Sequence, residues 1–165
     1  MSAPAEAVVV RDGLKGGKFL TFFLAGEEYG LEILKVHEII GMLPITRVPR
    51  TPEYVRGVIN LRGKVIPIMD LRRKFGMDHG GAESCIIVVQ LRGIQIGIVV
   101  DAVSEVASIA AADIEPSPTF GADVSTDFLL GLAKSNDRVR LLLDIERALS
   151  SDELDTLQVV SDAAR

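Results

Sequence analysis

Few residues in this 165-residue chain could make or break bonds, since it holds two histidines and one cysteine. His37 falls in an apolar, strand-like segment and His79 in a Gly-rich loop. No HExxH, CxxC or GxSxG spacing accompanies them, so metal and nucleophile chemistry lack parts. Cys85 has no partner for an internal disulfide and, within its apolar run, reads as a small buried hydrophobe. Lys15-Gly16-Gly17-Lys18 has neither the GxxxxGK[ST] spacing nor a following Ser or Thr, so it is no phosphate loop. Asp70 and Asp144 head two similar hexapeptides, Asp-Leu-Arg-Arg-Lys-Phe and Asp-Ile-Glu-Arg-Ala-Leu. A general acid–base pair is one reading, but two helix N-caps account for both aspartates without a partner. No catalytic residue, cofactor or metal is expected, and the chain reads as a binding protein rather than an enzyme.

Recognition is the chemistry that remains, and Arg62 is its most conspicuous group. The apolar runs Val55 to Ile59 and Val65 to Met69 flank Asn60-Leu61-Arg62-Gly63, a tight-turn sequence with Asn first and Gly fourth. This predicts a β-hairpin with Leu61 and Arg62 pushed out at its tip. The second run is apolar on both faces, so it must be covered on both sides or by a partner. Pro67 has no N–H for a ladder, which predicts an edge strand or a bulge.

Phe19 to Leu24 reads as a strand, Ala25 to Glu28 as a turn, and Tyr29 onward as a second strand. The alternation slips phase at Ile33 to Val36, which predicts a bulge or a single helical turn. Leu43 to Pro52, with three prolines, is a loop-and-edge segment. Ser150 to Val160 suits a final acidic helix capped by Ser151. The chain also repeats itself. Leu24, Gly26, Gly30, Val36 and Glu38 recur at an offset of 67 as Leu91, Gly93, Gly97, Val103 and Glu105. Gly57, Val65, Asp70 and Arg73 recur at an offset of 74 as Gly131, Val139, Asp144 and Arg147. The difference places an insertion near Glu115 to Asp127. Repeats of about this length suit two copies of a small β-barrel, longer than the common solenoid units. The first copy has the Asn60–Gly63 turn where the second has Lys134-Ser135-Asn136-Asp137, and Ile66 where the second has Arg140. Either a partner reads only the first copy, or the copies have drifted apart.

A net charge of −5 and the absence of Trp argue against a general nucleic-acid or membrane-surface binder. Nevertheless the segment from Arg47 to Lys74 carries eight basic and two acidic residues. It is either a solvated basic face or a surface that steers an acidic protein partner. No stretch suits a leader or a membrane span, and a cytoplasmic protein without direct membrane insertion is expected.

Tyr54 to Phe75, with Gly57, the Asn60–Gly63 turn, Pro67 and Asp70-Leu71-Arg72, resembles the CheW-like family of chemotaxis coupling proteins. Glu28-Tyr29-Gly30, Ile33 to Ile40, Thr51-Pro52, Gly97 to Asp101 and Pro116 to Phe120 extend the resemblance, which covers roughly residues 18–149. It implies an all-β fold of two intertwined SH3-like five-stranded barrels, with repeats at about 19–75 and 86–149 and short helices. A flexible tail over 1–17 and a C-terminal helix and tail over 150–165 flank it. The implied function is a non-catalytic adaptor that couples the cytoplasmic tips of chemoreceptors to the histidine kinase CheA. Such an adaptor is monomeric alone, forms rings with the kinase's regulatory domain and is recruited to membrane-associated arrays. By the same resemblance, a groove between the barrels takes the receptor's helical tip through Ile33, Val36, Glu38, Ile39, Gly57, Asn60, Leu61, Arg62 and Val103. Kinase contacts fall on Met42 and Leu43 after the third strand and on Glu115 and Phe120 in the insertion. Glu115 departs from the pattern, being acidic where a basic residue suits that surface. A module of a non-flagellar chemosensory pathway and an SH3-like nucleic-acid binder are the alternative readings.

Overall fold

The computed structural model describes residues 16–77, 83–116, 128–135 and 137–163. The strands are β1 (Gly17–Leu24), β2 (Glu27–Glu32), β3 (Val36–Gly41), β4 (Val55–Leu61), β5 (Lys64–Met69), β6 (Cys85–Leu91), β7 (Ile94–Val100), β8 (Ala102–Ile109), β9 (Ile114–Glu115), β10 (Leu129–Ser135) and β11 (Arg138–Leu143). Three helices accompany them, α1 (Leu71–Lys74), α2 (Ile145–Ala148) and α3 (Ser151–Ala163). The phase slip after β2 is a 3-10 turn over Ile33–Lys35, and a bulge follows it between Val36 and Glu38.

Three hairpin turns share one design. Ala25-Gly26, Arg62-Gly63 and Arg92-Gly93 each place two successive residues at positive φ, the geometry that matches strand twist in a two-residue hairpin. The turn at Arg62 is therefore shorter than the sequence suggests. Asn60 and Leu61 still belong to β4, and Leu61 faces inward, only 9% exposed, rather than standing at the tip. The reason is register: with a two-residue turn Leu61 pairs with Lys64, which sends the leucine to the apolar face. The Asn60 Oδ1 accepts the Gly63 N–H at 2.8 Å and clamps the turn from the side.

The sheets exchange strands between the repeats. One runs β8-β1-β2-β11-β10-β9 and the other β3-β6-β7-β5-β4. The first hairpin of each repeat thus joins the third strand and last hairpin of the other repeat, and β9 adds a sixth, two-residue strand to one sheet. Each sheet wraps a small apolar cluster. Ile59, Leu61, Ile66, Ile68, Ile86, Val88 and Val99 fill one barrel, and Phe19, Ile109, Ile114, Ala133 and Leu142 the other. Phe19, Ala133 and Leu142 are the repeat counterparts of Ile86, Ile59 and Ile68, at the offsets read from the sequence. Leu20, Phe22, Leu24, Ile87, Val89, Met69, Leu143 and others form a larger core between the sheets. This two-sided burial is why β5 from Val65 to Met69 and β6 from Cys85 to Val89 are apolar on both faces. Cys85, half-buried, packs on the edge of this core rather than inside it.

Pro67 lies on neither an edge nor a bulge, because β5 sits between β4 and β7. It faces Val58, whose N–H and C=O both bond Thr46. The β4–β5 ladder needs no donor at that position, so proline is tolerated there. Asp70 accepts the N–H groups of Arg72 and Arg73, and Asp144 those of Glu146 and Arg147. Both are N-caps, as expected. The cap of α3 is Ser150 rather than Ser151. Its Oγ accepts the Glu153 N–H at 3.1 Å while Glu153 accepts the Ser150 N–H at 2.9 Å, a capping box that Ser-x-x-Glu spacing produces.

Four pairings join the repeats, and two of them are parallel, β11 with β2 and β5 with β7. Each parallel one includes a glycine, with Leu142 opposite Gly30 and Ile68 opposite Gly97. A Cβ on Gly30 would meet Leu142 Cδ2 at 2.9 Å, and one on Gly97 would meet Ile68 Cδ1 at 2.5 Å and Ile86 Cγ2 at 2.8 Å. Gly97→Ala should therefore overpack this join and lower unfolding free energy by about 1–3 kcal/mol. Gly41→Ala, where a Cβ meets nothing within 4 Å, should stay within about 0.5 kcal/mol of wild type. Urea denaturation of both variants checks the contrast; equal stabilities would show that the glycine is not what permits the join.

Candidate partner-docking site

The edge strand β3 and the β4–β5 turn lie at opposite ends of one sheet, yet the sheet's curl brings them together. Arg62 Nη2 donates to Glu38 Oε1 at 2.5 Å, and His37 Nε2 approaches the same oxygen at 3.7 Å. The Arg62 side chain is two-thirds exposed, so it lies open to a partner while held at one end. Its hydrogen bond to Glu38 keeps that carboxyl below the ordinary 4.5, against a smaller opposing effect of desolvation. Ile39, the next residue of β3, is exposed on the opposite face of the strand.

From this corner the expected residues continue toward the seam between the barrels. Val36 on β3, Ile33 on the 3-10 turn and Val103 on β8 are partly buried against the central core. Val36 and Val103 are repeat counterparts, so the two third strands bring equivalent residues to the same core. Lys35 donates to Glu146 at 2.6 Å and ties the 3-10 turn to α2. Gly57 is buried at a bulge, with φ +141°, where a Cβ would lie 2.1 Å from Thr46 O. Gly57 and Leu61 thus shape the hairpin from inside. Of the residues expected to meet a receptor, Ile39, Asn60 and Arg62 are exposed and Glu38 is half-buried. Leu34, which sequence reading does not single out, is the most exposed large apolar residue among those described, at 95%. The only sequence signal for it is the phase slip around it.

The other expected contacts divide between the barrels. Met42 is exposed after β3, while Leu43 packs on the barrel cluster beneath β4 and β5. Glu115 lies on β9 of the other barrel and pairs at 2.9 Å with Lys134 on the neighbouring strand β10. This local lysine is a partner for the acidic residue that departs from the family pattern. Phe120 and Asn136 lie outside the described residues, as does His79.

The basic segment is largely neutralised inside the fold. Arg56 donates to Glu83 at 2.8 Å and lies 3.4 Å from Asp70. Arg72, buried, pairs with Asp101 and, at 3.2 Å, with Glu83. Arg73 approaches Asp70 at 3.6 Å and Lys74 pairs with Glu153. With Arg62 on Glu38, five of the eight basic residues are paired, which leaves Arg47, Arg50 and Lys64 without an ion-pair partner among the described residues. The second copy has its own arginine in the matching relation. Glu105, the counterpart of Glu38, accepts from Arg140 at 2.8 Å, and Arg140 also reaches the buried Glu28 at 3.2 Å. The copies therefore differ in where the arginine sits. One is an exposed tip and the other a largely buried strand position that serves the fold.

The pattern of the CheW-like domain family matches residues 18–153. The chain is 45% identical over 141 residues to the chemotaxis protein CheW of Klebsiella aerogenes, covering 84% of this chain and 85% of that protein. It is 36% identical over 137 residues to the chemotaxis protein CheW of Helicobacter pylori, covering 82% of each. Its fold is similar to the crystal structure of the scaffolding protein CheW from Thermoanaerobacter tengcongensis, with a TM-score of 0.71 and 42% identity, covering 78% of this chain and 89% of that one.

Two measurements separate the tip arginine from its buried counterpart. In an NMR titration the Glu38 carboxyl should titrate below 4.5, its ordinary value, and return to it in Arg62→Ala. Because the folded value is depressed, the pair's contribution to stability is present above 4.5 and is lost as pH falls through the lowered value. An unchanged Glu38 titration in the variant would show that the contact is not formed in solution. Arg140→Ala, by contrast, strips the buried Glu28 of one of its two arginine partners and, with Arg138 remaining at 2.5 Å, should cost about 1 kcal/mol in denaturant unfolding.

Proposed function

The chain belongs to the CheW-like domain family, and on that footing we propose that it is a non-catalytic adaptor joining chemoreceptor tips to the histidine kinase CheA. The carrying observation is the edge strand β3, where exposed Arg62 is held by Glu38 on one face and Ile39 stands exposed on the other, with Ile33, Val36 and Val103 packed at the barrel seam. An apolar seam edged by an anchored guanidinium suits a helical partner that offers apolar residues at helical spacing and a hydrogen-bond acceptor. The family's known relatives are chemotaxis proteins, which supports the receptor's cytoplasmic helical tip as that partner. No described helix is long and apolar enough to cross a membrane, and we place the adaptor in the cytoplasm, drawn to arrays through its partners.

The kinase's regulatory domain is the proposed second partner. Met42 and Leu43 lie on one barrel and Glu115 on the other, so two kinase domains can be met on two sides, as an alternating ring requires. Phe120 belongs to the same proposal. The nucleic-acid alternative loses its main support because most of the basic segment is satisfied by Asp70, Glu83, Asp101, Glu153 and Glu38.

Arg62→Ala is the direct test. The side chain is exposed, so the variant should melt close to wild type. Truncating an arginine at the centre of an interface commonly costs tenfold or more in affinity, so binding to a receptor-tip fragment should weaken by about tenfold or more. Asn136→Ala, at the matching turn of the second copy, should leave binding unchanged. Calorimetric titration of both variants decides it, and receptor binding by Arg62→Ala at wild-type strength would move the docking site elsewhere.

A further inference from the structure

The hairpin that carries Arg62 has a support that its counterpart in the other repeat lacks. In the β4–β5 ladder, Val58 turns its N–H and C=O away toward Thr46. Alternation then makes Asn60–Val65 another pair whose backbone groups point away from the ladder. The Val65 carbonyl therefore faces the β7 side. There β7 offers nothing, because the β5–β7 pairing covers only Ile68 with Gly97 and Met69 with Ile98. The two strands diverge toward the turn and leave a cleft of about 150 Å³, walled by Lys64 to Pro67, Gly93 to Gln95 and α3. On the α3 side, Ser161 donates its hydroxyl to the Val65 carbonyl at 3.1 Å. Ser161 is itself buried, and Leu154, Leu157 and Val160 anchor its helix in the central core. Lys74 to Glu153 and Arg92 to Ser151 pin the start of the helix. The matching strand β11 runs beside β2 over Leu141–Leu143, and α3 packs on β4 and β5 instead. The family pattern ends at residue 153, so the segment of α3 bearing Ser161 lies beyond it.

We infer that α3 is a brace for the docking hairpin and that Ser161 is a positioning residue, holding β5 at Val65 so that Arg62 stands where a helical partner meets it. The inference rests on the docking reading above. The hydroxyl replaces the ladder bond that β7 does not supply, and the covered carbonyl lies three residues from Arg62. Without it the β5 side of the hairpin end has no backbone anchor beyond β4, and the tip relies on the turn and on the Arg62–Glu38 contact.

Deleting α3 would expose Leu154, Leu157 and Val160, so the test uses point variants of the full chain. One net hydrogen bond is lost in Ser161→Ala, which should quicken amide exchange across residues 60–65 by about fivefold and weaken receptor-tip binding by a similar factor. Ser161→Thr keeps the hydroxyl and should restore both, a rescue that general helix loosening would not show. Unchanged exchange over 60–65 in Ser161→Ala overturns the brace. Faster exchange with wild-type affinity, while Arg62→Ala still binds poorly, overturns the positioning role and leaves the docking site intact. Wild-type binding by Arg62→Ala would instead sink the docking reading and the positioning role with it, whatever the exchange rates show.

Discussion

The architecture depends on two places where a strand from one repeat lies parallel to a strand of the other with no side chain in between. At Gly30 and Gly97 the backbone comes close enough that Leu142 and Ile68 fill the volume a Cβ would take. Parallel strands cannot be linked by a tight turn, so these joins must unite residues distant in sequence. They bind β2 to β11 and β5 to β7. From them follow the crossed sheets, the two small barrel clusters and the larger core between the sheets. The third strands, β3 and β8, are carried to the sheet edges, which is where β3 can meet the Arg62 turn.

Charge follows the same crossing. Arg72, on the helix after β5, is buried and finds Asp101 at the end of β7 and Glu83 before β6. A buried guanidinium must be paired or it becomes a large liability, so these acidic residues are spent on the fold. What remains accessible is small and specific. Arg62 is outward-facing, yet its position is set by Glu38 on one side and by the Asn60 clamp on the turn.

Much of this was legible in the residues. The offsets of 67 and 74 identify Phe19 with Ile86, Leu142 with Ile68 and Val36 with Val103, and those residues occupy equivalent places. Both aspartate caps and the 3-10 turn were readable from local chemistry. An offset shows which residues are equivalent but not which are neighbours, so the exchange of strands entered only through the family resemblance. Leu61 was misplaced because an Asn–x–x–Gly turn and a two-residue turn clamped by Asn look alike in sequence, and register alone tells them apart. The basic segment looked like a surface because Glu83, Asp101 and Glu153 are distant in sequence. Ser150 was readable, since Ser-x-x-Glu marks the cap, but adjacent serines made the neighbour look equivalent. The docking residues rest on the resemblance, with the Arg62–Glu38 contact as the feature that geometry adds.

The crossed connectivity also bears on how the chain is made. One barrel, β3 to β7, is continuous in sequence, whereas the other is split between the two ends of the domain. The one containing β3, β4 and β5 lacks two strands until β7 ends at Val100, and the one begun by β1 lacks its closing hairpin until β11 ends at Leu143. During synthesis, which proceeds from the N-terminus, the first hairpin, with Leu20, Phe22 and Leu24, therefore emerges with no partner sheet. It must wait for nearly the whole domain to follow. Contacts of such long sequence separation slow folding, and for that interval an apolar hairpin edge is open to other chains. The barrel of β3 to β7 thus has all its strands while the first hairpin still waits for β8 to β11, and the vulnerable moment lies in translation rather than in the finished adaptor.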